Sequence, residues 1–138
     1  MKSNGFVYVA SVNKAFYQAA LQSAQSLLDF FPEAKITLFT HEPWVCDEAR
    51  EIFDQIITDG VPNHIRAKLW ALAKSPYDTT LYVDCDTLIN SEEISGVFYL
   101  LGDNDILFTR NRPYNAKITK LSETEEMIYR QRWPAGRQ

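Results

Sequence analysis

A chain of 138 residues that is 46% apolar and 23% charged fits one compact domain with its own core, with no need of disulfides or a structural metal to hold it. No apolar stretch approaches the ~20 residues that span a bilayer, and Lys2 is not followed by the apolar run and small-residue site of a signal peptide. The net charge of −4 is uneven: residues 1–109 hold 7 Lys/Arg against 15 Asp/Glu and residues 110–138 hold 7 against 3, so the acidic body argues against general nucleic-acid binding and leaves a basic extension that is either solvated or meets phosphates.

Gly5 to Ser11 reads GFVYVAS, a β-branched and aromatic run that predicts a buried strand. Residues 13–31 carry Phe16, Ala19, Ala20, Leu27, Phe30 and Phe31 at helical spacing, with Asn13 as N-cap and Pro32 as the stop. Ile36–Thr40 is a second strand, 47–54 a short helix, and Gln55–Thr58 a third strand that ends at Asp59-Gly60. A further helix opens at Asn63 or His64 and runs to Lys74, before Ser75-Pro76. Thr79–Val83 is a fourth strand running into Asp84. Residues 92–101 predict a helix and 105–109 a fifth strand. A capping-box pattern at Ser122–Glu125 suggests a helix over 122–132. Strands alternating with helices imply an α/β fold, with a mainly parallel sheet and helices on both faces. Ligands of such sheets bind beyond the carboxyl ends of the strands, which directs attention to Ala10–Asn13 and Asp84–Thr87.

The segment Thr80–Thr87, TLYVDCDT, takes an apolar strand straight into two carboxylates one residue apart. Strand alternation would put Asp84 and Asp86 on one side and Cys85 on the other. Two close carboxylates repel, and a divalent cation relieves the repulsion. Hard oxygen ligands suit Mg²⁺ or Mn²⁺, which also bind diphosphate oxygens and can stabilise a departing diphosphate. The other candidates carry less. His41 and His64 lack metal-ligand spacing and read as structural or surface groups. Cys46 and Cys85 form no spaced metal motif and read as reduced thiols of a cytoplasmic protein. Trp44, Trp70 and Trp133 offer sugar platforms, although Trp70 on a helix reads as core. Arg110 and Arg112 are candidates for phosphate.

Lys68-Leu69-Trp70-Ala71-Leu72, then Tyr77, then LYVDCDTLI, resembles the GT-A-type glycosyltransferases, and more narrowly the family-eight enzymes such as glycogenin and bacterial galactosyltransferases. In that family a lysine precedes the first motif aspartate by sixteen positions, as Lys68 precedes Asp84. Phe6–Asn13 followed by Ala15-Phe16 is similar to the family's first strand and uridine loop. The resemblance covers about residues 5–110 and implies a Rossmann-like GT-A nucleotide-diphospho-sugar transferase fold, a single domain whose core is 5–110 with 111–138 as a basic extension. It implies a UDP-sugar donor (UDP-glucose or UDP-galactose), an acceptor and Mn²⁺ or Mg²⁺. Ala10 and Ser11 would contact the nucleoside through backbone and hydroxyl. Asn13 would bond the base or ribose, and Phe16 would stack on uracil where the family usually has tyrosine. Lys68 would reach the donor's phosphate or sugar. Asp84, Cys85 and Asp86 would form the donor motif, with Asp84 and Asp86 on the metal. The pattern departs after residue 110. Only 28 residues follow, none of them the later histidine that completes the family's metal shell, so the donor-binding half is represented and the acceptor half largely is not.

Three functions compete. The first is a metal-dependent glycosyltransferase that transfers or hydrolyses the sugar. The second is a non-catalytic or partner-dependent nucleotide-sugar-binding module. The third, remote, is a haloacid-dehalogenase-type phosphatase, whose D-x-D lies on the first strand of its core, whereas three strands precede Asp84.

Overall fold

The computed structural model describes residues 2–108. The readings on Thr109, Arg110, Arg112, the helix over 122–132, Trp133 and the basic extension lie outside the described residues. Contacts divide the chain after Asn104, and the fold below is that of the first unit.

Four strands form one parallel sheet in the order β3-β2-β1-β4, with β1 Asn4–Val9, β2 Ile36–Phe39, β3 Gln55–Ile57 and β4 Thr79–Tyr82. β1 pairs with β2 on one side (Phe6 opposite Ile36) and with β4 on the other (Phe6 opposite Leu81). An interior strand needs apolar residues on both faces, which is why its sequence is a continuous run. Phe6, Tyr8 and Ala10 enter one core with Ile36 and Leu38. Val7 and Val9 enter a second core with Phe39.

Helices cover both faces. α1, Lys14–Phe30, and α2, Asp47–Ile52, pack on the first core, and α3, Ala67–Ala73, packs on the second. Asn13 caps α1 as expected, its Oδ1 accepting the Ala15 N–H at 2.9 Å. The buried stripe of α1 is Tyr17, Ala20, Ser23, Ala24 and Leu27. Phe16 and Phe30 flank it and are 46% and 41% exposed, so the apolar positions at 16 and 30 do not serve the core. The α/β expectation with a parallel sheet and helices on both faces is met at this level. Among the described residues no helix is long and apolar enough to cross a membrane.

Three elements differ from expectation. α3 begins at Ala67 rather than at Asn63 or His64, because side chains there bond elsewhere: Asn63 Oδ1 accepts the Val12 N–H and His64 Nδ1 accepts the Arg66 N–H. Residues Glu92–Leu101 form a 3₁₀ helix. Gly96 together with Ile94, Val97, Phe98 and Tyr99 gives the segment weak α-helical preference, and Gly102 ends it at φ +55°. The expected strand over 105–109 is absent in its described part, 105–108. β-propensity produces a strand only where a partner edge receives it.

Candidate functional site

The strand order reverses between β1 and β4, since β2 and β3 are added on one side of β1 and β4 on the other. Ligands of open parallel sheets sit at the carboxyl ends of the strands beside such a reversal. The segments that leave β1 and β4 there are Ala10–Asn13 and Val83–Thr87.

The first segment is tightly held. The Ala10 N–H donates to Phe39 O at 2.9 Å and its carbonyl accepts from Thr40 Oγ1 at 2.9 Å. The Ser11 hydroxyl is buried, donates to the Pro62 carbonyl and lies 3.1 Å from His41 Nε2. A serine hydroxyl has one proton, so His41 must be the donor of that second bond and carries hydrogen on Nε2. These bonds join the ends of β1 and β2 to the loop before α3. The polar groups of Ala10 and the Ser11 hydroxyl thus have partners inside the protein.

Val12 is the one described non-glycine residue with positive φ, at +72°. The Asn13 N–H donates to Ser11 O at 2.8 Å across it. A two-residue bond around such a φ is the rare γ-turn form, and it is strained for a β-branched side chain. Asn63 Oδ1 tethers the turn through the Val12 N–H at 3.1 Å. Backbone strain of this kind persists where surrounding structure over-determines it, and it clusters at ligand sites. Val12→Gly is expected to raise stability by about 1 kcal/mol, because ~1–3 kcal/mol of strain relief exceeds the ~0.5–1 kcal/mol entropic cost of glycine. The denaturant midpoint measures this; a fall would show that the valine packing outweighs the strain.

The second segment is a turn, not a strand. β4 ends at Tyr82; the Val83 N–H adds one last ladder bond to Val7 O, at 2.9 Å. The Thr87 N–H then donates to Asp84 O at 3.2 Å, closing a turn over Asp84–Thr87. Strand alternation therefore does not place the carboxylates; the turn does. Asp84 and Asp86 are exposed and Cys85 is buried between them. The Cys85 Sγ–H donates to Val9 O at 3.1 Å, and burial pushes its thiol up to about 12, with the two aspartates adding to the shift. Cys85 is a peg into the first core.

Neither Asp84 nor Asp86 is in an ion pair among the described residues, where the two ion pairs are Lys35–Asp54 and Arg50–Asp47. Asp78 shows the contrast, since its carboxylate is taken by the Ser3 N–H at 2.8 Å and by the Ser3 hydroxyl. Among the described residues no group of three or more His, Cys, Asp or Glu is arranged to hold a metal. The carboxylates at 84 and 86 would offer a cation two protein ligands. That fits Mg²⁺ or Mn²⁺ shared with a phosphate-bearing ligand, because such ions are commonly bound through one or two carboxylates plus substrate oxygens.

Lys68, on α3, comes to the same edge. Its Nζ lies 5.7 Å from the centre of the Tyr82 ring, two residues before Asp84. Burial raises the Tyr82 phenol's pKa, and the Asp84 carboxylate raises it further, so it stays protonated. Phe16 stands exposed in the first turn of α1, with its ring available for stacking. Trp70 packs edge-on against Phe39 in the second core, as expected for a helix tryptophan. Trp44 packs on His41 and Tyr17. Sequence reading singled out Ala10–Asn13 but missed the bonds of Val12 to Asn63 and of Ser11 to Pro62, because they join the segment after β1 to the loop before α3, distant in sequence. No protein-family model matches this chain, and no curated protein matches it.

Proposed function

We propose that the chain is a metal-dependent glycosyltransferase of the GT-A type that binds a UDP-sugar between the turn after β1 and the Asp84–Thr87 turn. The observation that carries this reading is the pair of exposed carboxylates on one turn, neither in an ion pair among the described residues, beside the strand-order reversal. The strained Val12 turn on the neighbouring strand end supports it independently.

In this reading Phe16 stacks on the base and the amide nitrogen of Asn13 bonds the base or ribose. Lys68 adds a positive charge near the phosphates. Asp84 and Asp86 would hold Mn²⁺ or Mg²⁺, which when bound offsets the negative charge that grows on a departing diphosphate. An acceptor oxygen forms the new bond to the anomeric carbon while the bond from that carbon to the diphosphate oxygen breaks. The electron pair leaves with UDP, and the acceptor's proton goes to solvent. With water in place of the acceptor, the same bond cleavage is hydrolysis.

Calorimetry with UDP and UDP-glucose, with and without Mn²⁺, tests the reading. Binding is expected to tighten about 100-fold or more with the metal, and UDP is expected to be released when a sugar acceptor is added. Absence of metal-dependent binding would overturn the proposal. Binding without any release of UDP would point instead to a non-catalytic nucleotide-sugar-binding module.

A further inference from the structure

The Asp84–Thr87 turn is held from one side by α1. Thr87 Oγ1 donates to Asp84 O at 2.7 Å, on the carbonyl that also accepts the Thr87 N–H. Two residues on, the Ile89 N–H donates to Ser26 Oγ at 2.9 Å. Ser26 is not free to rotate away, because its own proton is donated to Ser23 O at 2.6 Å. Ser23 in turn lies 3.4 Å from Thr87 Oγ1 and 2.8 Å from the Tyr8 hydroxyl.

Each hydroxyl has one proton, and this sets the direction of the whole chain. Thr87 spends its proton on Asp84 O, so Ser23 must donate to Thr87, over the longest link. Ser23 must then accept from Tyr8. Tyr8 can hold that role because burial pushes its phenol up to about 12, leaving it protonated. The result is a one-way line from the central strand through α1 to the backbone of the first motif aspartate. Ser26 supplies a parallel, shorter anchor to the chain just beyond the motif. The same helix carries Asn13 and Phe16 at its start, so one rigid element spaces the base-stacking end from the carboxylate end.

We infer that Ser26 and Thr87 are positioning residues for the Asp84 and Asp86 carboxylates, acting on a nucleoside diphosphate's cation through the turn they hold. This rests on the reading of Asp84 and Asp86 as cation ligands. The effect passes through the turn's geometry.

The test titrates Mn²⁺ into the full chain with UDP present, and titrates UDP alone, for the native protein, Thr87→Val and Ser26→Ala. Thr87→Ser and Ser26→Thr keep the hydroxyls. Loss of an outer partner of a metal ligand commonly weakens metal binding about 10- to 100-fold. Thr87→Val and Ser26→Ala are each expected to weaken Mn²⁺ about 10-fold, with metal-free UDP affinity unchanged and the hydroxyl-retaining variants near native. If the native chain binds Mn²⁺ with UDP and both variants match it, the positioning role is overturned and the transferase reading stands. An equal fall in metal-free affinity, unrescued by Thr87→Ser, also overturns it, since general loosening would then be the cause. If the native chain shows no Mn²⁺-dependent binding, both inferences fall together.

Discussion

Asp86→Ala is expected to remove metal-dependent UDP binding, a loss of about 100-fold or more, equivalent to roughly 2.7 kcal/mol. Stability should hardly move. Asp86 is exposed and in no ion pair among the described residues, and surface changes of that kind usually stay within about 0.5 kcal/mol. That separation is what distinguishes a ligand from a structural turn residue. Asp78→Ala provides the opposite control. Its carboxyl is held below the usual range by the Ser3 backbone N–H and then the Ser3 hydroxyl, so its loss loosens the start of the chain without touching the site. Isothermal titration of Mn²⁺ with UDP, beside denaturant melts, reads both quantities. Native-like Mn²⁺ affinity in Asp86→Ala would remove Asp86 from the site.

Gly5→Ala is expected to cost about 3 kcal/mol of stability. The added methyl would fall within the ring of Tyr77, where no Cβ can sit. The ring cannot swing aside cheaply, because its hydroxyl bonds the fully buried Thr37 at 2.8 Å. Overpacking typically costs ~1–3 kcal/mol, and a stranded buried hydroxyl a further ~1–3 kcal/mol. A double-mutant cycle with Tyr77→Ala, read by chemical denaturation, should show strong coupling, since removing the ring removes the collision. Additive losses would mean that Gly5 is required for another reason.

Much of the scaffold is legible in the sequence. In β1 to β4 and α1, period, propensity and punctuation agree, so local preference and tertiary packing point the same way. Asn13 caps α1 because an asparagine just ahead of a helical pattern has a backbone N–H two residues on to accept from. The helix over 92–101 was legible in its bounds but not in its 3₁₀ type, because Ile94, Val97 and Phe98 suit α and 3₁₀ spacing alike, and Gly96 favours neither. The run 105–108 carries strand propensity but forms no strand, since propensity alone is a weak guide to β-structure.

The sequence by itself determined that two carboxylates would follow a strand of a parallel sheet. The apolar run ending in Asp-Cys-Asp stands in a chain of alternating strand and helix patterns, and alternation put Cys85 on the side away from the carboxylates. Only the tertiary structure decided how the carboxylates are presented. The turn closed by Thr87 replaces strand alternation, the serines of α1 hold that turn, and the γ-turn at Val12 is tethered through its bond to Asn63. Both turns are closed by local bonds, but the anchors from Ser23, Ser26 and Asn63 join residues distant in sequence, and a pairing of that kind leaves no periodic trace along the chain.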